Sequence, residues 1–188
     1  MPILAFNGKK PNIHPSCYIA TNATIIGDVI LGEESSVWPN AVIRGDANKI
    51  SIGTRTSVQD NCVVHVNRET STTIGDEVIM GHGAIVHACS VGNHVLIGMG
   101  AQILDKASVG DWVIVAAGSV VTEKAVIPSK SLVAGIPAKV IKTLSPQQME
   151  RIKLGAEDYV DLSRRYKMQS LSTRMRSSER LTSSSRAE

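Results

Sequence analysis

Aromatic side chains are nearly absent: one Phe, two Trp and three Tyr among 188 residues, 3 % of the chain. An ordinary core takes much of its buried area from rings, so this interior must be filled by something narrower. Cysteine is scarce as well. Cys17, Cys62 and Cys89 share no paired spacing and are odd in number, which argues against a disulfide framework and suits small buried side chains in a reducing cytoplasm. No run of eighteen apolar residues occurs, so no membrane span is expected. The opening "MPILAFNGKKPNIHPS" lacks the basic region and long apolar stretch of a secretory signal. A basic face is also missing, despite the net charge of +3. From Arg164 onward there are seven Arg or Lys against two acids, so this tail carries +5 and the rest −2. The near-neutral body has no footprint for nucleic acid.

What the chain has is a period. Aliphatic residues fall at Ile13, Ile19, Ile25, Leu31, Val37 and Ile43, each six after the last. After a slip of three they resume at Ile52, Val58 and Val64. After a longer break they run in sixes from Ile79 through Ile85, Val91 and Ile97 to Val133. Glycine often follows, as in "ILGEES", "TIGDEV" and "SVGDWV". Such a repeat predicts an all-β fold, a parallel β-helix of hexapeptide repeats. Each hexad supplies a short strand and a turn, three hexads close one triangular coil, and the aliphatic residue points inward. Glycine, Asn and Asp at the corners allow the backbone angles of tight turns. A thin aliphatic column explains the missing rings.

The repeat is expected to occupy residues 1–143. A helix over 145–168 follows, with Ser145 as N-cap, Pro146 at the first helical position and Gln148 completing a capping box. Met149, Ile152, Ala156, Tyr159 and Tyr166 form its apolar stripe, expected to pack on the solenoid. Residues 169–188, rich in Ser and Arg, read as a disordered tail, or as a basic contact arm.

In "VIMGHGAIVHACSVG", His82 and His87 stand five apart, a spacing that fits neither helix nor strand. Hexad counting gives it a meaning. Counting two hexads plus three residues from Val64 to Ile79 stacks Ile43, Val64 and Ile85 on one face, with Val58 and Ile79 on the preceding face. Arg44 and His65 each follow their inward residue, and His87 lies two after its own. The three form a column rising about 4.8 Å per coil, with Asp46 at the turn that ends the lowest hexad. Gln59, Asp60 and His82 belong to the other face. His65 and His87 can then share one ligand that His82 of the same chain does not reach. Three prisms around a threefold axis would bring a neighbour's His82 to the pair. Three imidazoles with an open position suit zinc, and imidazole also suits iron and cobalt. His14 and His94 read as corner or surface residues.

The elements "RGD" at 44–46, "VQDNCVVH" at 58–65 and "GHGAIVHAC" at 81–89 resemble the γ-class carbonic anhydrases and their close relatives. The similarity covers roughly residues 10–170. The hexapeptide repeat and "AGIPAKVIK" are shared with acyltransferases; RGD, QD and three spaced histidines are more specific. The resemblance implies a left-handed β-helix and a homotrimer with a divalent metal, zinc or else iron or cobalt, between subunits. The implied ligands are His65 and His87 of one chain and His82 of the next. It further implies an ion pair of Arg44 and Asp46 across the interface, and Gln59 hydrogen-bonding the metal-bound water or the substrate. Asp60 would orient its neighbours. The implied reaction is reversible hydration of CO₂ to bicarbonate. The sequence departs from the family's archaeal type in three places. Ala47 stands where a glutamate follows RGD, Ser57 where an asparagine is frequent, and Glu69 is the one acid in the short loop "NRETSTT". Tyr159 would either pack in the apolar stripe or reach a neighbour's pocket. Two other readings stay open: a CoA-dependent hexapeptide acyltransferase with one histidine as general base, and a non-catalytic trimeric metal-binding accessory protein.

Overall fold

Short parallel strands follow one another around three faces, each paired with the coil before and after. The computed structural model describes the backbone of residues 2–184 and the side chains of residues 2–170. One face is a sheet of Tyr18–Ile19, Ser36–Val37, Ser57–Val58, Ile79–Met80, Leu96–Ile97, Ile114–Val115 and Ser131–Gly135, all parallel, closed by an antiparallel return at Ala138–Thr143. The second face carries Val63–His65, Ile85–His87, Gln102–Ile103 and Val120–Val121; the third carries Thr72–Ile74, Ser90–Val91, Ser108–Val109 and Val126–Ile127. Both start from short strands, Ile3–Leu4 and Asn12–Ile13, and pass through two long ones, Thr24–Leu31 and Val42–Ile52, which bend around a shared corner with a bulge between Gly27 and Val29. Gly27 takes φ +79 there, and a Cβ on it would lie 2.3 Å from the carbonyl oxygen of Gly45. Only glycine fits that crossing.

The interior is a stack of aliphatic side chains. On the second face Ile25, Ile43, Val64, Val86, Ile103 and Val121 lie above one another in register and are fully buried. Each contributes roughly 1.5–3 kcal/mol of burial. The rings stay outside. Tyr18, Trp38, Tyr159 and Tyr166 form a cluster on the first face, with Trp38 5.2 Å from Tyr18, 6.0 Å from Tyr159 and 5.3 Å from Tyr166. Trp38 donates its indole N–H to Ser36 Oγ at 3.0 Å and Ser57 Oγ at 2.9 Å. The C-terminal helix packs on this platform through buried Ile152, Ala156 and Val160. Its start has the reciprocal cap: Gln148 N–H donates to Ser145 Oγ at 3.3 Å, and Ser145 N–H to Gln148 Oε1 at 3.1 Å.

Two features differ from the sequence reading. The helix runs from Pro146 to Ser184, through most of the segment expected to be disordered. Residues 169–184 contain no Pro or Gly to stop it; residues 185–188 lie outside the described residues. The second difference is a register slip. Met80 and Val86, not Ile79 and Ile85, take the inward positions, paired with Val58 and Val64. The insertion after Val64 is one residue longer than counted, and the extra residue is recovered by a five-residue step from Val86 to Val91. Ala88 turns that shortened corner at φ 45. The aliphatic doublets Ile79-Met80 and Ile85-Val86 conceal the slip, because either member can serve as the inward residue.

Candidate metal centre

The corrected register puts His87 directly after its inward residue, as His65 follows Val64 and Arg44 follows Ile43. Arg44 pairs with His65, and His65 with His87, in successive coils. Alternation along each strand turns all three side chains outward. The two imidazoles stand 5.1 Å apart at their centroids, and His65 Nδ1 faces His87 Nε2 at 3.1 Å. Their other nitrogens are engaged by carboxylates. His65 Nε2 lies 3.0 Å from Asp46 Oδ1, and His87 Nδ1 donates to Asp105 Oδ1. Arg44 Nη1 donates to the second oxygen of Asp46.

The charge on the two carboxylates follows from this wiring. Burial works against the charge on Asp46, but hydrogen bonds from His65 and Arg44, with the guanidinium's charge, hold its carboxyl below the ordinary value. Burial likewise opposes the charge on Asp105, and hydrogen bonds from His87 and Asn67 prevail and lower it. Ionised carboxylates only accept, so each takes an N–H from the imidazole it faces. The other two nitrogens, His65 Nδ1 and His87 Nε2, face each other at 3.1 Å. Both are positions from which an imidazole can ligate a cation placed at the point they address. Imidazoles whose far nitrogens are held by carboxylates are the usual pattern of metal-bound histidine. The donor set therefore fits a divalent metal of the imidazole-binding kind.

The remaining sequence candidates sit elsewhere on the chain. His82 occupies the turn after Ile79–Met80, half exposed, with Nδ1 2.9 Å from Asp60 Oδ2. Among the described residues, no three His, Cys, Asp or Glu side chains of one chain converge on a point that could hold a metal. Gln59 is buried and lies beside Tyr159 of the helix, in the lining of one cavity. Burial raises the Tyr159 hydroxyl above its ordinary pKa, and the neighbouring Gln59 side chain opposes that rise. Gln59, His82, Arg151 and Tyr159 are the polar lining of a mostly apolar cavity of about 450 Å³, walled by Ile97, Met99 and Ile114. Glu69 is tied to Lys106 Nζ at 2.8 Å, and that bond and charge hold it below the ordinary carboxylate value. Ser57 accepts the Trp38 N–H and so belongs to the helix anchor. His94 stacks on Trp112 at 4.0 Å and His14 bonds Ser16 at 2.8 Å, both apart from the pair.

Asp105 was not among the sequence candidates. No motif marks it, but it lies in the next coil, one residue past the position in register with His87, and a count of three hexads from His87 reaches it.

The bacterial transferase hexapeptide (six repeats) model matches residues 10–45 and 88–123. The "Probable carbonic anhydrase" of Methanocaldococcus jannaschii is 55 % identical over 145 residues, 77 % of this chain and 91 % of that one. The γ carbonic anhydrase 2 of Arabidopsis thaliana is 39 % identical over 161 residues, 82 % of this chain and 58 % of that longer protein. The chain belongs to the γ-class carbonic anhydrase family. Its solenoid also superimposes on a hexapeptide transferase family protein from Anaplasma phagocytophilum, with TM-score 0.85, 39 % identity, and 88 % and 98 % of the two chains covered. That breadth shows how generic the coil is. In this γ-class member the residues of interest lie on outward faces and at corners, where the repeat leaves side chains free to vary. No described helix is long and apolar enough to cross a membrane.

Proposed function

We propose that the protein is a cytoplasmic γ-type carbonic anhydrase, a homotrimer that hydrates CO₂ reversibly at a divalent metal shared between subunits. The observation that carries this reading is the pair of facing nitrogens on His65 and His87, aimed at one point, with the far side of each ring held by Asp46 and Asp105. His82 of a neighbouring subunit supplies the third imidazole, which accounts for its place on a different face of its own chain. A divalent cation held there, zinc or else iron or cobalt, supplies the acidity that makes water a nucleophile near neutral pH. Arg44 and Asp46 orient His65 and offer charge at the subunit boundary. Gln59, buried beside Tyr159, presents an amide to CO₂ or bicarbonate, and Asp60 fixes the ring of His82. The names of the relatives in Methanocaldococcus and Arabidopsis support the same activity.

One observation favours a slower or silent site. The single acid of the loop after His65 is committed to Lys106, which leaves it a poor proton relay. A non-catalytic metal trimer is thus the second reading. Metal analysis of anaerobically purified protein, followed by stopped-flow CO₂ hydration on the same sample, separates the two. About one metal per chain with CO₂-dependent turnover supports the enzyme, and metal without turnover supports the accessory protein. Transfer of acetyl from acetyl-CoA without metal would replace both with an acyltransferase.

A further inference from the structure

The loop that follows His65 is four residues longer than the hexad it replaces, and its side chains do not point idly into solvent. Asn67 Oδ1 accepts the backbone N–H groups of Glu69 at 2.9 Å and Thr70 at 2.7 Å, so the loop closes on its own asparagine. The other end of that amide, Nδ2, donates to Asp105 Oδ2 at 2.5 Å. Thr72 Oγ1 then donates to the carbonyl of His65 at 2.6 Å as the chain leaves the loop. Lys106, beside Asp105, pairs with Glu69 at the outer edge.

We infer that this loop is a strap that positions the second imidazole: Asn67, acting through Asp105, sets the angle of the His87 ring. The inference rests on the metal reading above. A carboxylate bonded through one oxygen can still turn about its Cβ–Cγ bond, and a ring bonded to it turns with it. Asp105 is held through both oxygens, by His87 on one and Asn67 on the other, so the plane of the carboxylate and the direction of His87 Nε2 are set together. The strap grips the first imidazole's backbone through Thr72 and the second imidazole's side chain through Asn67. It therefore fixes the distance between the two facing nitrogens. Asn67 is suited to this by having an acceptor for the loop and a donor for Asp105 on one short side chain. Asn67 and Asp105 are positioning residues, and neither needs to touch metal or substrate.

The test uses the full-length protein stripped of metal and titrated with Co(II), read by visible absorption and by competition with a chelator of known affinity. Loss of a supporting partner behind a metal ligand costs 10–100-fold in affinity as a rule. Asp105→Asn and Asn67→Ala should each weaken Co(II) binding by about that factor and shift the visible bands. Arg68→Ala, in the same loop, should leave both unchanged. Because Asn67 acts through Asp105, Asn67→Ala should cost little more in the Asp105→Asn background. Asn67→Asp guards against simple misfolding, since it keeps the acceptor that closes the loop while setting a second carboxylate against Asp105. It should still fold, with a cooperative thermal transition of the metal-free protein, and still bind Co(II) weakly. Unchanged affinity and spectrum in Asn67→Ala and Asn67→Asp, or full additivity with Asp105→Asn, would overturn the strap and leave the metal site standing. A wild-type protein that takes up no Co(II) would overturn the metal reading and the strap together.

Discussion

Two defective variants should repair each other if the metal site is divided between subunits. His65→Ala removes one of the facing nitrogens, and His82→Ala removes the imidazole that sits with Asp60 on another face of the same chain. Each variant alone should be empty of metal and inactive. In a ring of three, every interface takes its His65–His87 pair from one protomer and its His82 from the next. When equal amounts of the two variants are unfolded and refolded together, a working interface needs a His82→Ala chain on the pair side and a His65→Ala chain on the other. Each condition holds half the time, so about one quarter of interfaces should be rebuilt under random cyclic assembly. Metal per chain and CO₂ hydration per chain should both return to about a quarter of wild type. A site built within one chain gives no return at all, because every chain lacks a ligand. Failure of the mixture to recover metal, or a His82→Ala protein that holds its full complement alone, would refute the shared site.

Further expectations follow from packing and titration. Met80 is fully buried while Ile85 is only partly so, so Met80→Ala should cost about 2–5 kcal/mol in urea unfolding and Ile85→Ala clearly less; equal losses would contradict the register. Trp38→Ala removes the ring at the centre of the cluster and its two indole bonds, and should cost about 3–5 kcal/mol. Limited proteolysis should then cut within the C-terminal helix first; protection equal to wild type would refute that anchor. Burial pushes the Cys62 thiol up to about 11 and Cys89 up to about 12, from an ordinary 9.0. Because the folded values are raised, their contribution to stability is complete below pH 9.0 and drains away as pH climbs through 11–12. At pH 8 neither thiol should react with a disulfide reagent until the protein is unfolded in urea; rapid native-state labelling of either would show the burial to be wrong.

Much of the architecture could be read from spacing because a β-solenoid is nearly one-dimensional: each coil touches only its neighbours, so a local period becomes a global shape. Ile13 through Ile43 needed nothing else. Counting failed where the chain offered two adjacent aliphatics, Ile79-Met80 and Ile85-Val86, since hydrophobicity alone does not say which of a pair faces in. The helix past residue 168 was missed for the opposite reason: the segment has few large apolar residues to mark a packed face, yet no breaker.

The sequence by itself determined the coil, the scarcity of rings within it, and the column of Arg44, His65 and His87 on a face apart from Gln59, Asp60 and His82. These depend on period, and period is carried by residue order. Only the tertiary structure decided which imidazole nitrogens face each other. That rests on Asp46 and Asp105 reaching the far sides of two rings, and on Asn67 reaching Asp105 across 38 positions of chain. No local pattern encodes a hydrogen bond between side chains of different coils; the winding creates it by bringing distant corners together.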